Sequence, residues 1–156
     1  MQTLALATAC DQLPPIADDV PALALAPANL RILIVNECMR SAGALKSTLH
    51  DLGYFTTFTA YSGRRALTAA TDFHPAVSIL DLELPDMTGY QLARRLRSHL
   101  ERHIRQMPLL AIAEQPRFGN FELTRAAGFI GCLSKPVLPV ELNSILRKLQ
   151  SYGFSS

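Results

Sequence analysis

Apolar residues arrive in two rhythms along most of this chain. Short unbroken runs alternate with stretches in which apolar positions recur every third or fourth residue. The first rhythm marks strands buried on both faces, the second amphipathic helices. Leu30 to Val35 is the first run. Cys38, Ala42, Leu45, Leu49 and Leu52 then share one helical face, and Gly53 supplies a stop. Tyr54 to Ala60 reads as a β-rich second strand, and Arg64 to Asp72 as a short helix with Ala66, Leu67 and Ala70 inward. Ala76 to Leu80 is a third strand. Thr88 to about Arg105 predicts one long basic helix with Leu92, Leu96 and Leu100 along one side. Pro108 to Ala113 is a fourth strand. Pro116 suits the first position of a helix running to Gly128. Phe129 to Leu133 is a fifth strand, and Leu142, Ile145, Leu146 and Leu149 mark a final helix. Five strands alternating with five helices predict an α/β fold, a parallel sheet covered on both faces.

The pattern lapses at the start. Residues 1–29 are rich in Ala, Pro and Leu, show no lasting period and are punctuated by Pro14, Pro15, Pro21 and Pro27. They predict a flexible N-terminal extension. Residues 30–151 then form one domain, with 152–156 as a short tail and no internal repeat. With 49% hydrophobic and 18% charged residues, a core can form without staples. No apolar run approaches the roughly 18 residues that a membrane span requires, and the first residues lack the basic start of a signal peptide. Cys10, Cys38 and Cys132 are odd in number and lack metal-ligand spacing, which suggests reduced thiols in a cytoplasmic protein. Residues 1–30 carry a net charge of −3 and the rest +5, too little to argue for nucleic-acid binding.

The chemistry gathers at Asp81. This residue closes the third apolar run and opens the turn Leu82-Glu83-Leu84-Pro85-Asp86-Met87-Thr88-Gly89. A carboxylate at the C-terminal end of a parallel strand stands where open α/β sheets hold their ligands. Three further motifs accompany it: Ile32-Leu33-Ile34-Val35-Asn36-Glu37, Pro108-Leu109-Leu110-Ala111-Ile112-Ala113, and Ala127-Gly128 followed by Leu133-Ser134-Lys135-Pro136. Together they resemble the receiver domain of bacterial two-component response regulators over about residues 30–150. The resemblance implies a flavodoxin-like three-layer sandwich with strand order 2-1-3-4-5. It implies that Asp81 accepts a phosphoryl group from a kinase histidine. Mg²⁺ would be held by Glu37, Asp81 and the backbone carbonyl of Glu83, Lys135 would contact the phosphoryl oxygens, and Pro136 would follow a cis peptide bond. Gly89 matches the small residue after the phosphorylation turn, where a positive φ is expected.

Other positions depart from the family pattern. The acidic pair after the first strand is Asn36-Glu37, so the pocket loses one negative charge and Mg²⁺ binding is expected to be weak. The usual Ser/Thr is Ala113, which donates no hydrogen bond. The next, usually small, residue is Glu114, which is positioned to obstruct an incoming phosphoryl group. The aromatic that normally moves with the missing hydroxyl is Cys132. One absent charge-assisted hydrogen bond is worth about 1.5–3 kcal/mol. The larger loss is to the switch, because a ligand shifts an equilibrium only through contacts that differ between its two states.

Arg94, Arg95, Arg97, Arg102 and Arg105, with His99 and His103, crowd the third helix. They read better as a solvated face, with Glu101 pairing Arg97 and Arg105, than as a nucleic-acid surface, since aromatic interleaving is absent. The four histidines do not cluster with cysteines, so a zinc site is not expected, nor any cofactor besides Mg²⁺; His99 and His103 are four apart, a chelating spacing that is also common on surfaces. Phe118 and Phe121 belong either to the core or to an apolar partner-binding face. Cys132 reads as a small buried hydrophobe. No output domain is expected to follow the last helix. The expectation is a single-domain, non-enzymatic signalling protein acting through a protein partner: a sensor histidine kinase, a phosphotransfer protein or a downstream target. No nucleic-acid or membrane partner is expected, and the oligomeric state is open. An ordinary phosphorelay receiver is the alternative, and a flavodoxin-like enzyme or ligand binder a distant third.

Overall fold

The computed structural model describes residues 30–114 and 118–153; the expectations for residues 1–29, Pro116, 154–156 and the side chains of Phe118 and Phe121 lie outside the described residues. Five parallel strands form one sheet: β1 (Ile32–Val35), β2 (Thr57–Ala60), β3 (Val77–Asp81), β4 (Leu109–Ala113) and β5 (Gly131–Ser134). Their order is β2-β1-β3-β4-β5, as the resemblance implied. Between and after them lie α1 (Met39–Asp51), α2 (Gly63–Phe73), α3 (Gly89–Arg97), α4 (Arg102–Arg105), α5 (Phe118–Ala127) and α6 (Pro139–Gly153).

The two faces of the sheet are two cores. Strand residues alternate between them, because successive side chains point to opposite sides. Ile32 and Ile34, with Val77, Ile79, Ile112 and Leu133, pack beneath Ala42, Leu45 and Leu49 of α1 and Leu142, Leu146 and Leu149 of α6. Leu33, Val35, Leu80, Ala111 and Cys132 face Ala66 and Ala70 of α2, Leu92 and Leu96 of α3, Ile104 of α4 and Ala127 of α5. Most positions of the helix faces read from spacing are therefore buried, whereas Leu52, Leu67 and Ile145 are half-buried and Cys38 stays exposed as the N-cap of α1. Chain reversals follow local chemistry. Ser62 accepts a hydrogen bond from Arg65 N, Thr88 and Gln91 form a reciprocal capping box, and Gly53 takes φ +98° after α1.

The long third helix does not form as expected. It ends at Ser98, and a separate turn, α4, follows, giving six helices among the described residues rather than five. Leu100 is consequently 94% exposed instead of lining the helix. The break has a physical cause in side chains that compete for the backbone. Ser98 Oγ donates to Arg94 O, Glu101 N donates to His99 Nδ1, and Arg105 Nη1 donates to the carbonyls of His99 and Leu100. Arg97 is drawn inward as well. Its guanidinium donates to the carbonyls of Arg105, Met107 and Gly128. Gly128 tolerates this approach because it lacks a side chain: a Cβ would meet Arg97 Nε at 2.5 Å, and its φ is +100°. The expected Glu101 pairing with Arg105 gives way to a contact with His103 at 3.3 Å.

Candidate functional site

Register brings the site together. Asp81 ends β3 opposite Ile112 of β4, and β4 in turn pairs Ala113 with Ser134 of β5, so Lys135 enters beside the strand end. Lys135 Nζ donates to Asp81 Oδ2 at 2.7 Å. The other oxygen, Oδ1, accepts from Glu83 N at 2.9 Å. Asp81 is only 4% exposed, so its charge is compensated by one cation and one backbone dipole. Burial works against the Lys135 charge. The hydrogen bond and charge of Asp81, aided by Glu114 and Glu83, outweigh that cost and raise the ammonium above its ordinary pKa. The Lys135–Pro136 peptide bond is cis.

Asn36 follows β1 and is buried, with Oδ1 accepting from Cys38 N at 2.8 Å. The amide that replaces a carboxylate therefore also turns the chain into α1. Glu37 and Glu83 are exposed at the rim. Glu114 is exposed too and lines an open cleft of about 410 Å³ with Asn36, Ser41, Leu45, Thr48, Lys135 and Val137. Ala113 ends β4 with only a methyl side chain, and its carbonyl accepts from Lys135 N at 3.0 Å. Cys132 is fully buried.

Gly89 corrects an expectation. Its φ is not positive; among the described glycines only Gly53 and Gly128 have that geometry. Glycine stands at position 89 because α3 starts against β3: a Cβ would lie 2.6 Å from Asp81 O and 2.8 Å from Leu82 Cα.

Two contributors escaped the sequence reading. Asp86 accepts from Gly63 N at 2.8 Å and Arg64 N at 2.9 Å, so the phosphorylation-type turn is tied to the start of α2. Those two amide bonds hold its carboxyl below the usual range. Tyr90 of α3 stacks edge-on against Phe129, with ring centroids 6.4 Å apart, and bonds with Thr124 of α5. Burial pushes its phenol up; the Thr124 bond opposes that, and the nearby Cys132 adds to it. An acidic residue beside a Pro/Gly turn was a visible signal for Asp86. Tyr90 carried none, because nothing local shows which helix it will face.

The chain's relatives share this architecture. A family model for the response regulator receiver domain matches residues 32–147. The polar-differentiation response regulator DivK of Brucella ovis is 27% identical over 106 residues, covering 68% of this chain and 84% of that protein. The regulatory protein AtoC of Escherichia coli is 38% identical over 118 residues, 76% of this chain but 24% of that protein. The chemotaxis response regulator CheY4 of Vibrio cholerae superposes with a TM-score of 0.69 at 28% identity, covering 77% of this chain and 98% of that one. The receiver domain of a histidine kinase from Syntrophus aciditrophicus gives 0.68 at 28%, covering 78% and 89%. With a buried strand-end aspartate held by a lysine from β5, on a sheet of this order, the chain belongs to the response regulator receiver family, the signalling modules of two-component systems.

Proposed function

We propose that this chain is a receiver in which Asp81 keeps its place as phosphoacceptor while the means of transmitting that event are reduced, so that its output depends mainly on protein–protein contact. The Lys135–Asp81 contact at 2.7 Å, beside an alanine at position 113, carries this reading. Receivers interact with histidine kinases or phosphotransfer proteins, and a phosphohistidine supplies the group. One Asp81 oxygen forms the new bond to phosphorus, the phosphorus–nitrogen bond breaks, and its electron pair leaves with the imidazole. Lys135 is placed to follow the negative charge onto the phosphoryl oxygens. Ala113 contributes no donor, and Cys132 no ring to move into a vacated space. Glu114, at the cleft rim, sets a like charge near the incoming group.

Receiver domains typically bind Mg²⁺ at the phosphorylation site. The residues here fit that ion in kind, since the Asp81 and Glu37 carboxylates, the Glu83 carbonyl and the Asn36 amide all offer oxygen. Glu37, Asp81 and the Glu83 carbonyl would hold it, and it would neutralise charge on the transferring group. Asn36 is neutral and its Oδ1 already accepts from Cys38 N, which supports weak binding.

The test is exposure to a small-molecule phosphodonor with Mg²⁺, followed by intact mass. One phosphoryl adduct is expected on the wild type and none on Asp81→Asn. Ala113→Thr should form it about tenfold faster, the effect of one hydrogen bond worth about 1.5 kcal/mol. An adduct that survives Asp81→Asn would overturn the assignment.

A further inference from the structure

A second group of donors lies at the other end of the sheet. His74 sits in the connection from α2 to β3, while Glu101 and His103 lie at the start of α4, in the connection from α3 to β4. The two connections lead into adjacent strands. His74 Nδ1 is 2.9 Å from His103 Nε2, and Glu101 Oε2 is 3.3 Å from the same nitrogen. One ligand atom from each of the three residues lies within 4.8 Å of the others. His103 and Glu101 have side chains 47% and 42% exposed, so water and ions reach them.

The arrangement is hard to account for as hydrogen bonding alone. His103 Nε2 meets the Glu101 carboxylate and a second ring nitrogen, His74 Nδ1, at once, yet carries at most one proton to share between them. It also brings two imidazoles edge to edge from separate connections, with rings 4.9 Å apart. Three lone-pair donors around one point is what a divalent transition metal requires. Two ligands at about 2.0–2.1 Å from tetrahedral Zn²⁺ lie about 3.3 Å apart. The observed 2.9 Å and 3.3 Å separations need only small adjustments of exposed rings.

The backbone supports the placement. His74, the C-cap of α2, takes the left-handed conformation (φ +53°), alone among the described non-glycine residues, where the chain turns from α2 into β3. Glu101 is oriented by its own amide, which donates to His99 Nδ1 at 3.0 Å. His99, four residues before His103 in sequence, is separated from it by the break after Ser98 and accepts from the Glu101 amide instead.

We infer that His74, Glu101 and His103 form a site for a divalent transition metal of the Zn²⁺ class, with solvent completing the coordination. Two nitrogens and one carboxylate suit that ion and not Mg²⁺, which prefers oxygen. The site lies apart from the phosphorylation centre, since His74 precedes β3 and Asp81 closes it. A bound ion would clasp the two connections together and leave the strand tips free.

Tag-free, metal-stripped protein titrated with Zn²⁺ by calorimetry tests this. One site is expected, with affinity reduced at least about tenfold in His103→Ala and in His74→Asn, the latter chosen because Asn accepts the left-handed backbone. Asp81→Asn should bind Zn²⁺ as the wild type does, which separates this site from the phosphorylation centre. The melting temperature should rise with Zn²⁺ in the wild type and not in the histidine variants. No saturable binding, or equal binding in the histidine variants, would overturn the site.

Discussion

Lys135 and Asp81 make one statement about stability and pH. The lysine's pKa is raised in the folded chain. Its contribution is therefore fully present below the ordinary lysine value near 10.5 and is lost as pH rises through the higher folded value. Lys135→Met removes that dependence. Denaturant midpoints measured from neutral to strongly alkaline pH should fall in the wild type and change less in the variant. At neutral pH the variant should be less stable by about 1–3 kcal/mol, because a buried carboxylate is left with one amide donor. Residue identity showed most of this pair in advance. The strand-end aspartate and the Lys-Pro step are local in sequence, whereas the second duty of Asn36, turning the chain ahead of α1, became visible only with the turn in view.

At the scale of elements, two glycines and one arginine set the packing. Gly89→Ala drives a methyl into backbone atoms of Asp81 and Leu82, so α3 must shift; a loss of about 1–3 kcal/mol is expected from thermal or denaturant unfolding. Gly63→Ala is the control. The three atoms nearest its Cβ all belong to the flexible Met87 side chain, at 2.5–2.8 Å, and its cost should be smaller. Arg97→Ala should cost about 2–3 kcal/mol by losing charge-assisted bonds to three carbonyls in two segments, and Arg97→Lys should restore little, since an ammonium does not present a planar fork. Strand and helix identities were legible because the apolar periods of two and 3.6 are local. The break after Ser98 was not, because helical spacing continues through Leu92, Leu96 and Leu100 while side-chain bonds to the backbone decide the outcome. For the same reason five arginines on a presumed helix looked like a basic face, although Arg97 and Arg105 turn towards carbonyls.

For the molecule as a whole, the question is how far an event at Asp81 spreads. The route from the strand tip to α5 lacks a hydroxyl at Ala113 and a ring at Cys132, while Tyr90 already ties α3 to Thr124 of α5. Hydrogen exchange with and without beryllofluoride and Mg²⁺ should show protection changes concentrated at the β3–α3 and β5–α6 turns, with little change along α5 and α6. Broad changes across those two helices would contradict weak transmission. Sheet order and layer pattern could be anticipated from alternation and family motifs. The meeting of His74 with His103 could not, since it depends on two connections that share no periodic signal.

The strand order also bears on how the chain is made. β1 lies between β2 and β3, with Ile32 paired to both Thr57 and Val77, and every pair runs parallel. No neighbour is reached by a tight turn, so each pairing waits for a whole helix to be synthesised. The ribosome must release β1, α1, β2, α2 and β3 before the first strand has both partners, and the nascent apolar segments remain unpaired meanwhile. β5 is the last of the five strands in chain order, so Lys135 emerges after the other four, and the charge on Asp81 gains its counterpart only then.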